Sequence, residues 1–334
     1  MAVKTILKLD NVELTDLGLI FDKTNNIFGF DGAYSIPVGD RILWLFGDTF
    51  VKEDKLICNS AIFTNFFDPD KGLRNVKVKI DQNGYPVPII EPTPEEKKTK
   101  CRIWPLHGIN LKCKVYLYYV VVRIIPGEEF PYRSLSFNFE EVGSGLAEYD
   151  PILGKTTRLL RNDNLIWWNK NEGNFGGGVI EDINYIYIFG VHKNSFDKNS
   201  TRLSRVKKED IKDLSKYRYL KSFKPEWTSN IKEAIDVIDD VPCEMSVSYN
   251  RYLKKYLIVH SLVSRDSIGL KVSDNLWGPY EDFCTIPVKR VSPNTFRYAG
   301  KEHRELAKEN GRTIYITYVE SEVYWPHLLR VRFR

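Results

Sequence analysis

The residues best suited to chemistry are two aspartates at the ends of a predicted β-hairpin. Asp31 stands at the start of the first strand, Asp48 stands at the end of the second, and the turn at 37–40 joins them. Because the start of one antiparallel strand lies beside the end of the next, we expect the two carboxyl groups to meet. Two adjacent acids among apolar residues acquire different pKa values, which suits acid/base work on a glycosidic bond. The alternative is structural, with Asp31 capping a turn and Asp48 accepting backbone N–H bonds.

Composition excludes several classes of function. The formal charge is only +5 over 334 residues, and the basic residues are dispersed among acidic ones, so we expect no nucleic-acid partner. No run of 18 apolar residues occurs and the N-terminus lacks a signal-peptide pattern, which predicts a cytoplasmic protein with no membrane partner. The five cysteines show no C-x-x-C spacing, which predicts free thiols and no zinc site.

The hairpin pattern recurs along the chain. Four further pairs of strands are predicted, at 104–122, 175–192, 244–261 and 303–319. A third strand follows each pair and a fourth follows all but the last, whose missing strand could come from residues 5–9 or 13–16. Five four-stranded units closed by an N-terminal strand predict an all-β, five-bladed β-propeller, with residues 1–334 as a single domain.

In a propeller the innermost strands line the central channel, so the residues at their starts should converge on one pocket. The register is supported because Asp31 to Asp48, Glu244 to Ser261, and His303 to Glu320 all span 17 positions. We therefore predict three catalytic carboxyl groups, on Asp31, Asp48 and Glu244. The predicted substrate-binding residues at the same level are Trp104, His107, Gly177, His303 and Glu320.

Several of these residues also have a structural interpretation. Glu244 could be a strand-end residue at the surface, and His303 could begin a short helix. The segment containing Trp104 and His107 could be a simple turn. The glycines around Gly177 could allow a backbone to approach a ligand, or could serve a tight crossing within a blade.

Five segments of the chain together resemble a family of five-bladed propeller proteins formerly of unknown function (DUF4185-like). The segments are Asp31-Gly-Ala-Tyr-Ser-Ile, Leu43-Trp-Leu-Phe-Gly-Asp-Thr, Phe175-Gly-Gly-Gly-Val, Leu276-Trp-Gly-Pro-Tyr and Tyr298-Ala-Gly-Lys-Glu-His. The likeness runs from about Asp31 to Phe333. This family is allied to the endo-D-arabinanases of glycoside hydrolase family 183, and the chain is more distantly similar to families 43 and 32.

The resemblance implies that Asp31 and Asp48 form the acid pair. The more distant families would place a base at Asp31, an acid at Glu244 and a histidine on the axis at His303, and by analogy they allow a calcium ion in the channel. Those families also carry an Asp on the third blade, where this chain has only glycines at 176–178. No ligand cluster in the sequence requires a metal, so we expect no cofactor.

The sequence thus predicts a glycoside hydrolase that cleaves a furanoside-type bond in an arabinan-like polysaccharide or oligosaccharide. Asp31 would be the base or nucleophile; Asp48 would be the acid or would tune Asp31, with Glu244 as the rival acid. Two alternatives use the same pocket: a carbohydrate-binding propeller without turnover, and an intracellular glycoside phosphorylase, which needs a cationic phosphate site. In each case the partner is a small molecule or oligosaccharide, and the oligomeric state is left open.

Overall fold

The computed structural model describes residues 6–9, 11–21, 27–52, 55–73, 76–125, 139–194, 198–288 and 295–334. Within these ranges β-strands dominate, and the α-helical structure is a single short helix, α1 (Pro94–Lys98). A capping box begins this helix, because Thr93 accepts from the Glu96 amide while the Glu96 carboxylate accepts from the Thr93 amide. No helix in the described ranges has the length and apolar character needed to cross a membrane.

The strands form five antiparallel sheets. The N-terminal strands are β1 (Ile6–Lys8) and β2 (Val12–Leu19). The first sheet contains β3 (Gly29–Val38), β4 (Arg41–Lys52), β5 (Lys55–Ile57), β6 (Ser60–Asn65) and β7 (Lys77–Val78). The second contains β8 (Cys101–Leu111), β9 (Lys114–Ile124), β10 (Phe139–Asp150), β11 (Lys155–Arg158) and β12 (Trp168–Asn169).

The remaining sheets follow in chain order. The third contains β13 (Asn174–Glu181), β14 (Tyr185–Lys193), β15 (Asn199–Lys207), β16 (Arg218–Ser222), β17 (Glu226–Thr228) and β18 (Ile238–Asp239). The fourth contains β19 (Met245–Asn250), β20 (Lys255–Leu262), β21 (Ser267–Ser273) and β22 (Glu281–Pro287). The fifth contains β23 (Arg297–Glu302), β24 (Thr313–Glu320) and β25 (Pro326–Phe333), together with β1 and β2.

The N-terminus completes the last sheet. Strand β2 pairs antiparallel with β25, placing Val12 opposite Phe333, and β1 pairs with the outer side of β2. Each sheet is built on the hairpin pattern of the sequence, and together they confirm the all-β, five-bladed β-propeller closed by an N-terminal strand. Both N-terminal segments considered as the closing strand take part in this sheet, although residue 5 lies outside the described residues.

The residues group into two compact units. One contains Met1–Val87, Glu244–Asn275 and Glu281–Arg334, and thus the first, fourth and fifth sheets. The other contains Pro88–Cys243 and Leu276–Tyr280, and thus the second and third sheets. We call them the first and second units. That residues 1–334 form a single domain stays a prediction.

Aromatic side chains fill part of the core of each unit. In the first unit, Phe21 packs edge-on against Trp44, with ring centroids 5.2 Å apart, beside Phe30. In the second unit, Trp167 and Trp168 lie 5.8 Å apart and both are buried. These paired tryptophans therefore serve packing, because burial leaves no ring face free to stack on a sugar.

Candidate active site

Asp31 lies in an irregular part of the β3–β4 hairpin. Phe30 pairs with Thr49 and Gly32 pairs with Phe46, and the register shifts between these two pairs and again between Gly32 and Tyr34. Asp31 is the residue skipped on β3, and Asp48 lies in the skipped segment of β4. The bulge therefore leaves both aspartates outside the regular pairing of the hairpin, and bulges next to active sites commonly re-aim side chains.

Backbone strain marks the same place. Ala33, just after Asp31, has φ 68°, and Ala299 on β23 has φ 57°. A second register shift lies between Tyr298 and Lys301, around Ala299. Non-glycine residues in the left-handed region are uncommon, and such strain collects where function requires it. The innermost strands of the first and fifth sheets are thus distorted at the level of the candidate acids.

Two tyrosines hold the carboxyl group of Asp31. The hydroxyl of Tyr298 donates to Asp31 Oδ2 at 2.9 Å, and the hydroxyl of Tyr324 donates to the same oxygen at 3.0 Å. Burial and the Asp31 charge raise the pKa of both tyrosines well above its ordinary value, so both remain donors at neutral pH. These donors restrict the rotation of the Asp31 side chain.

The three candidate catalytic acids interact within the first unit. Burial, then the charge of Glu244, then that of Asp48 raise the pKa of Asp31 to about 8, and the two tyrosine hydrogen bonds oppose the shift. Asp48 is itself only 6% exposed. Adjacent carboxyl groups cannot all ionise cheaply in a buried place, so Asp31 retains its proton at neutral pH. The structure thus places Asp31 close enough to Asp48 and Glu244 for both to act on its proton; the hairpin argument predicted the first pair and the propeller argument predicted Glu244, and the catalytic roles of all three stay predictions.

Lys301 is a part of the site that sequence reasoning missed. Its ammonium group donates to Glu244 Oε1 at 2.8 Å, to the Gly32 carbonyl at 2.7 Å and to the Ala299 carbonyl at 2.9 Å. The side chain is 1% exposed and its Nζ lies 4.4 Å from the centroid of the Tyr34 ring. The only signal in the sequence is its place in the segment Tyr298-Ala-Gly-Lys-Glu-His, which supplies no contact by itself.

His303 lies in the first unit but its ring is already engaged. Its Nδ1 lies 2.6 Å from Ser35 Oγ, its Nε2 lies 2.7 Å from Thr317 Oγ1, and the ring packs 4.8 Å from that of Trp44. With both nitrogens used and the side chain 1% exposed, this histidine does not fit a ligand of a channel calcium ion. The described residues also contain no group of three or more His, Cys, Asp or Glu placed to hold a metal.

Glu320 is also buried, at 1% exposure, and Thr295 Oγ1 donates to its Oε1 at 2.7 Å. A carboxylate already held in this way has less capacity to accept from a sugar hydroxyl. The assignment of His303 and Glu320 to substrate binding stays a prediction.

The other predicted substrate-binding residues lie in the second unit. Trp104 on β8 packs edge-on against Phe139 at 4.9 Å, and His107 Nδ1 accepts from the Val179 amide at 3.1 Å. Gly177 lies in the bulge of β13 beside Gly176. A Cβ added at Gly176 would come within 2.2 Å of Tyr118 Cβ. Close packing thus explains Gly176, while the binding roles of Trp104, His107 and Gly177 stay predictions.

We expect Asp31→Asn to stabilise the protein increasingly as the pH rises. The folded state keeps the Asp31 proton up to about pH 8, whereas the unfolded chain releases it near pH 4. Ionisation therefore favours the unfolded state across this window, and stability contributed by the protonated carboxyl is lost as the pH rises. Asparagine has no such proton. The free energy of unfolding of the variant therefore rises relative to that of the wild type by up to ~1.4 kcal/mol per pH unit, and this relative gain ends above pH 8. Thermal unfolding at pH 5 and pH 8.5 measures the difference, and an equal gap in Tm at both pH values would contradict it.

The fold has solved counterparts, although a comparison with the curated protein sequences gave no match. A protein from Bacteroides ovatus ATCC 8483, described only provisionally as a hydrolase, has a TM-score of 0.66 at 14% identity, over 96% of this chain and 90% of that chain. Zg3597, a family 117 glycoside hydrolase of Zobellia galactanivorans, has a TM-score of 0.55 at 10% identity, over 96% and 90%. The α-L-arabinofuranosidase PaAbf62A of Podospora anserina, solved with cellotriose, has a TM-score of 0.50 at 11% identity, over 96% of each chain.

At these identities the similarities to solved structures establish the fold alone.

The family is identified by comparing the sequence with a family profile. The profile described as "Domain of unknown function (DUF4185)" matches residues 7–330, and the chain therefore belongs to the DUF4185 family, as its motifs predicted.

Proposed function

We propose that the protein is a glycoside hydrolase that cleaves a furanoside-type bond in an arabinan-like oligosaccharide or polysaccharide. The observation that carries this proposal is the cluster of Asp31, Asp48 and Glu244, in which burial and like charges raise the pKa of Asp31 to about 8. Glycosidic hydrolysis uses a pair of carboxyl groups, one of which donates a proton, and this cluster offers a protonated Asp31 with two further carboxyl groups beside it. Furanoside specificity is supported by the propeller shared with an α-L-arabinofuranosidase.

The raised pKa favours Asp31 as the general acid. A protonated Asp31 can donate to the glycosidic oxygen of the leaving group as the bond to the anomeric carbon breaks. Asp48 or Glu244 supplies the second carboxyl group, either as the base that takes a proton from the attacking water or as the nucleophile that bonds to the anomeric carbon. This exchanges the roles expected from sequence, where Asp31 was the base or nucleophile, because that expectation could not include the effect of burial on its proton.

The two tyrosines support this role by orientation. Both hydroxyl groups donate to Oδ2 of Asp31, which leaves Oδ1 as the oxygen that carries the transferable proton. A fixed side chain loses less entropy when the substrate is bound in a reactive geometry. Tyr298 and Tyr324 therefore act through Asp31 as positioning residues.

Release of reducing ends from a panel of arabinans and fructans, with and without inorganic phosphate, tests the proposal. Hydrolysis that is independent of phosphate, and greatest on an arabinan, is the expected result. Formation of a sugar phosphate only when phosphate is present would replace the hydrolase by a phosphorylase. Binding to the polysaccharides without any product would indicate a carbohydrate-binding propeller.

The pH dependence of hydrolysis separates the two roles of Asp31. If Asp31 is the acid, kcat/KM falls about tenfold per pH unit above about pH 8, because the free enzyme then loses the proton that it must donate. If Asp31 were the base, kcat/KM would instead rise through pH 8. Initial rates at substrate concentrations well below KM, from pH 5 to pH 10, distinguish a falling limb from a rising one.

A further inference from the structure

A polar cleft lies in the second unit, where β14 ends and β15 begins. It has a volume of about 970 Å³, and the segment around β18 forms the rest of its lining. Cavities of this size are large enough to hold a small polar ligand. The charged and titratable residues of the lining are His192, Lys193, Lys198, Arg202, Asp236, Asp239 and Asp240. All of them belong to the second unit, whereas Asp31, Asp48 and Glu244 belong to the first.

Backbone pairing fixes the walls of this cleft. Strand β18 pairs with β15, with Asp239 opposite Ser200, and His192 on β14 lies opposite the same serine. Ser200 and Arg202 are two residues apart on β15, so their side chains emerge on the same face of the sheet. His192, Arg202 and Asp239 are therefore held on paired strands before any ligand binds.

Two of the three acids in the cleft already have a partner. Asp236 Oδ1 lies 2.6 Å from His192 Nε2, and Asp239 Oδ1 accepts from Ser200 Oγ at 2.6 Å. The third acid, Asp240, is exposed, and its carboxylate makes no hydrogen bond or ion pair with the residues that the structure describes. Most of the negative charge in the cleft is thus engaged within the protein.

The cations of the cleft are less well matched. Over the described part of the chain, Arg202 makes one hydrogen bond, from Nη1 to the Glu172 carbonyl at 3.3 Å, and its Nε is buried without an acceptor. Burial lowers the pKa of Arg202, and the charges of Asp236 and Glu172 oppose this shift without reversing it.

Lys198 is the second cation without a partner. Its ammonium group is exposed at the rim of the cleft and forms no ion pair among the described residues. A partly buried guanidinium group that no carboxylate meets is costly, because it has lost water without gaining a partner. The charge left unpaired in the cleft is therefore mainly positive.

We propose that this cleft is a second ligand site, which binds an oxyanion, a carboxylate or phosphate group, on a small polar molecule such as a sugar acid or a sugar phosphate. Arg202 holds the anionic group, because a planar guanidinium fork matches two oxygens of a carboxylate or a phosphate. Lys198 adds a positive charge at the rim, and Asp240 opposes binding by repulsion. The inference goes beyond the proposed function and does not rest on it, since no residue of the cleft has a proposed catalytic role.

Calorimetric titration of the whole protein at pH 7 and low salt tests the inference, with D-glucuronate, ribose 5-phosphate and D-glucose as the ligands. We expect at least one of the two anions to bind with a Kd below about 1 mM, and at least tenfold more tightly than the neutral D-glucose. Binding of D-glucuronate alone would identify a carboxylate site, and binding of ribose 5-phosphate alone would identify a phosphate site.

Substitutions locate the bound anion. Arg202→Gln is expected to weaken binding at least ~10-fold, because it removes the guanidinium fork. Arg218→Gln is the matched control, since Arg218 is a half-buried arginine of the same sheet that donates to two backbone carbonyls. Its Kd is expected to stay within about twofold of the wild type, because it lies outside the lining of the cleft.

Two exposed positions keep the test decisive even if Arg202→Gln fails to fold. Lys198→Gln is expected to weaken anion binding about threefold, and Asp240→Asn is expected to strengthen it about twofold, since one removes an attraction and the other a repulsion. Failure of both anions to bind at concentrations up to about 20 mM would overturn the inference. So would binding of D-glucose as tight as that of the anions, or anion binding that Asp240→Asn weakens and Lys198→Gln leaves unchanged.

Discussion

Asp31→Asn is expected to lower kcat for glycosidic hydrolysis at least ~10³-fold while the protein stays folded. Asparagine keeps the shape of the side chain and an oxygen that accepts from Tyr298 or Tyr324, but it cannot donate a proton to a leaving group. The loss of kcat is large because the glycosidic oxygen, without the proton from Asp31, must leave as an alkoxide, which is a poor leaving group. Kinetics on the best arabinan of the panel, with circular dichroism to verify the fold, measures it.

Asp274→Asn is the matched control. Asp274 is an exposed aspartate of the same unit that pairs with Lys255 at the surface, and the two substitutions are chemically identical. We expect its kcat to stay within about twofold of the wild type, because a surface ion pair contributes little. An Asp31→Asn variant that kept more than about a tenth of the wild-type kcat would remove Asp31 from the catalytic machinery.

His303→Ala is expected to destabilise the protein by ~3–4 kcal/mol. The truncation removes a ring packed 4.8 Å from Trp44 and leaves the hydroxyls of Ser35 and Thr317 without their shared partner in a buried place. Both losses act on the folded state, so the free energy of unfolding should fall whether or not substrate is present. Urea unfolding at pH 7 measures it.

Thr317→Val provides the comparison for His303. It removes only the hydroxyl that meets His303 Nε2 and keeps the β-branched shape, so we expect a loss of about 1–2 kcal/mol. If His303→Ala left stability unchanged and instead raised KM by tenfold or more, His303 would belong to the substrate-binding surface, as the sequence analysis expected. The ring of His303 is buried and both of its nitrogens are engaged, which favours a loss of stability over a rise in KM.

Much of the candidate site follows from local pattern. Asp31 and Asp48 are the ends of one hairpin, and antiparallel pairing brings such ends together whatever the rest of the chain does. The repetition of this hairpin also predicted five sheets and the need for an N-terminal strand, which β2 supplies by pairing with β25. Short-range periodicity carries this information because alternate burial along a strand is a local property.

The protonation and support of the site depended on contacts between distant residues. Tyr298 and Tyr324 reach Asp31 from 267 and 293 positions away, and no periodicity in a single chain pairs residues at such separations. The raised pKa of Asp31 likewise comes first from burial, which exists only once the sheets are packed. The sequence by itself thus determined which acids meet and in which fold, while only the tertiary structure decided which acid keeps a proton, because solvation and the charges of neighbouring strands set that equilibrium.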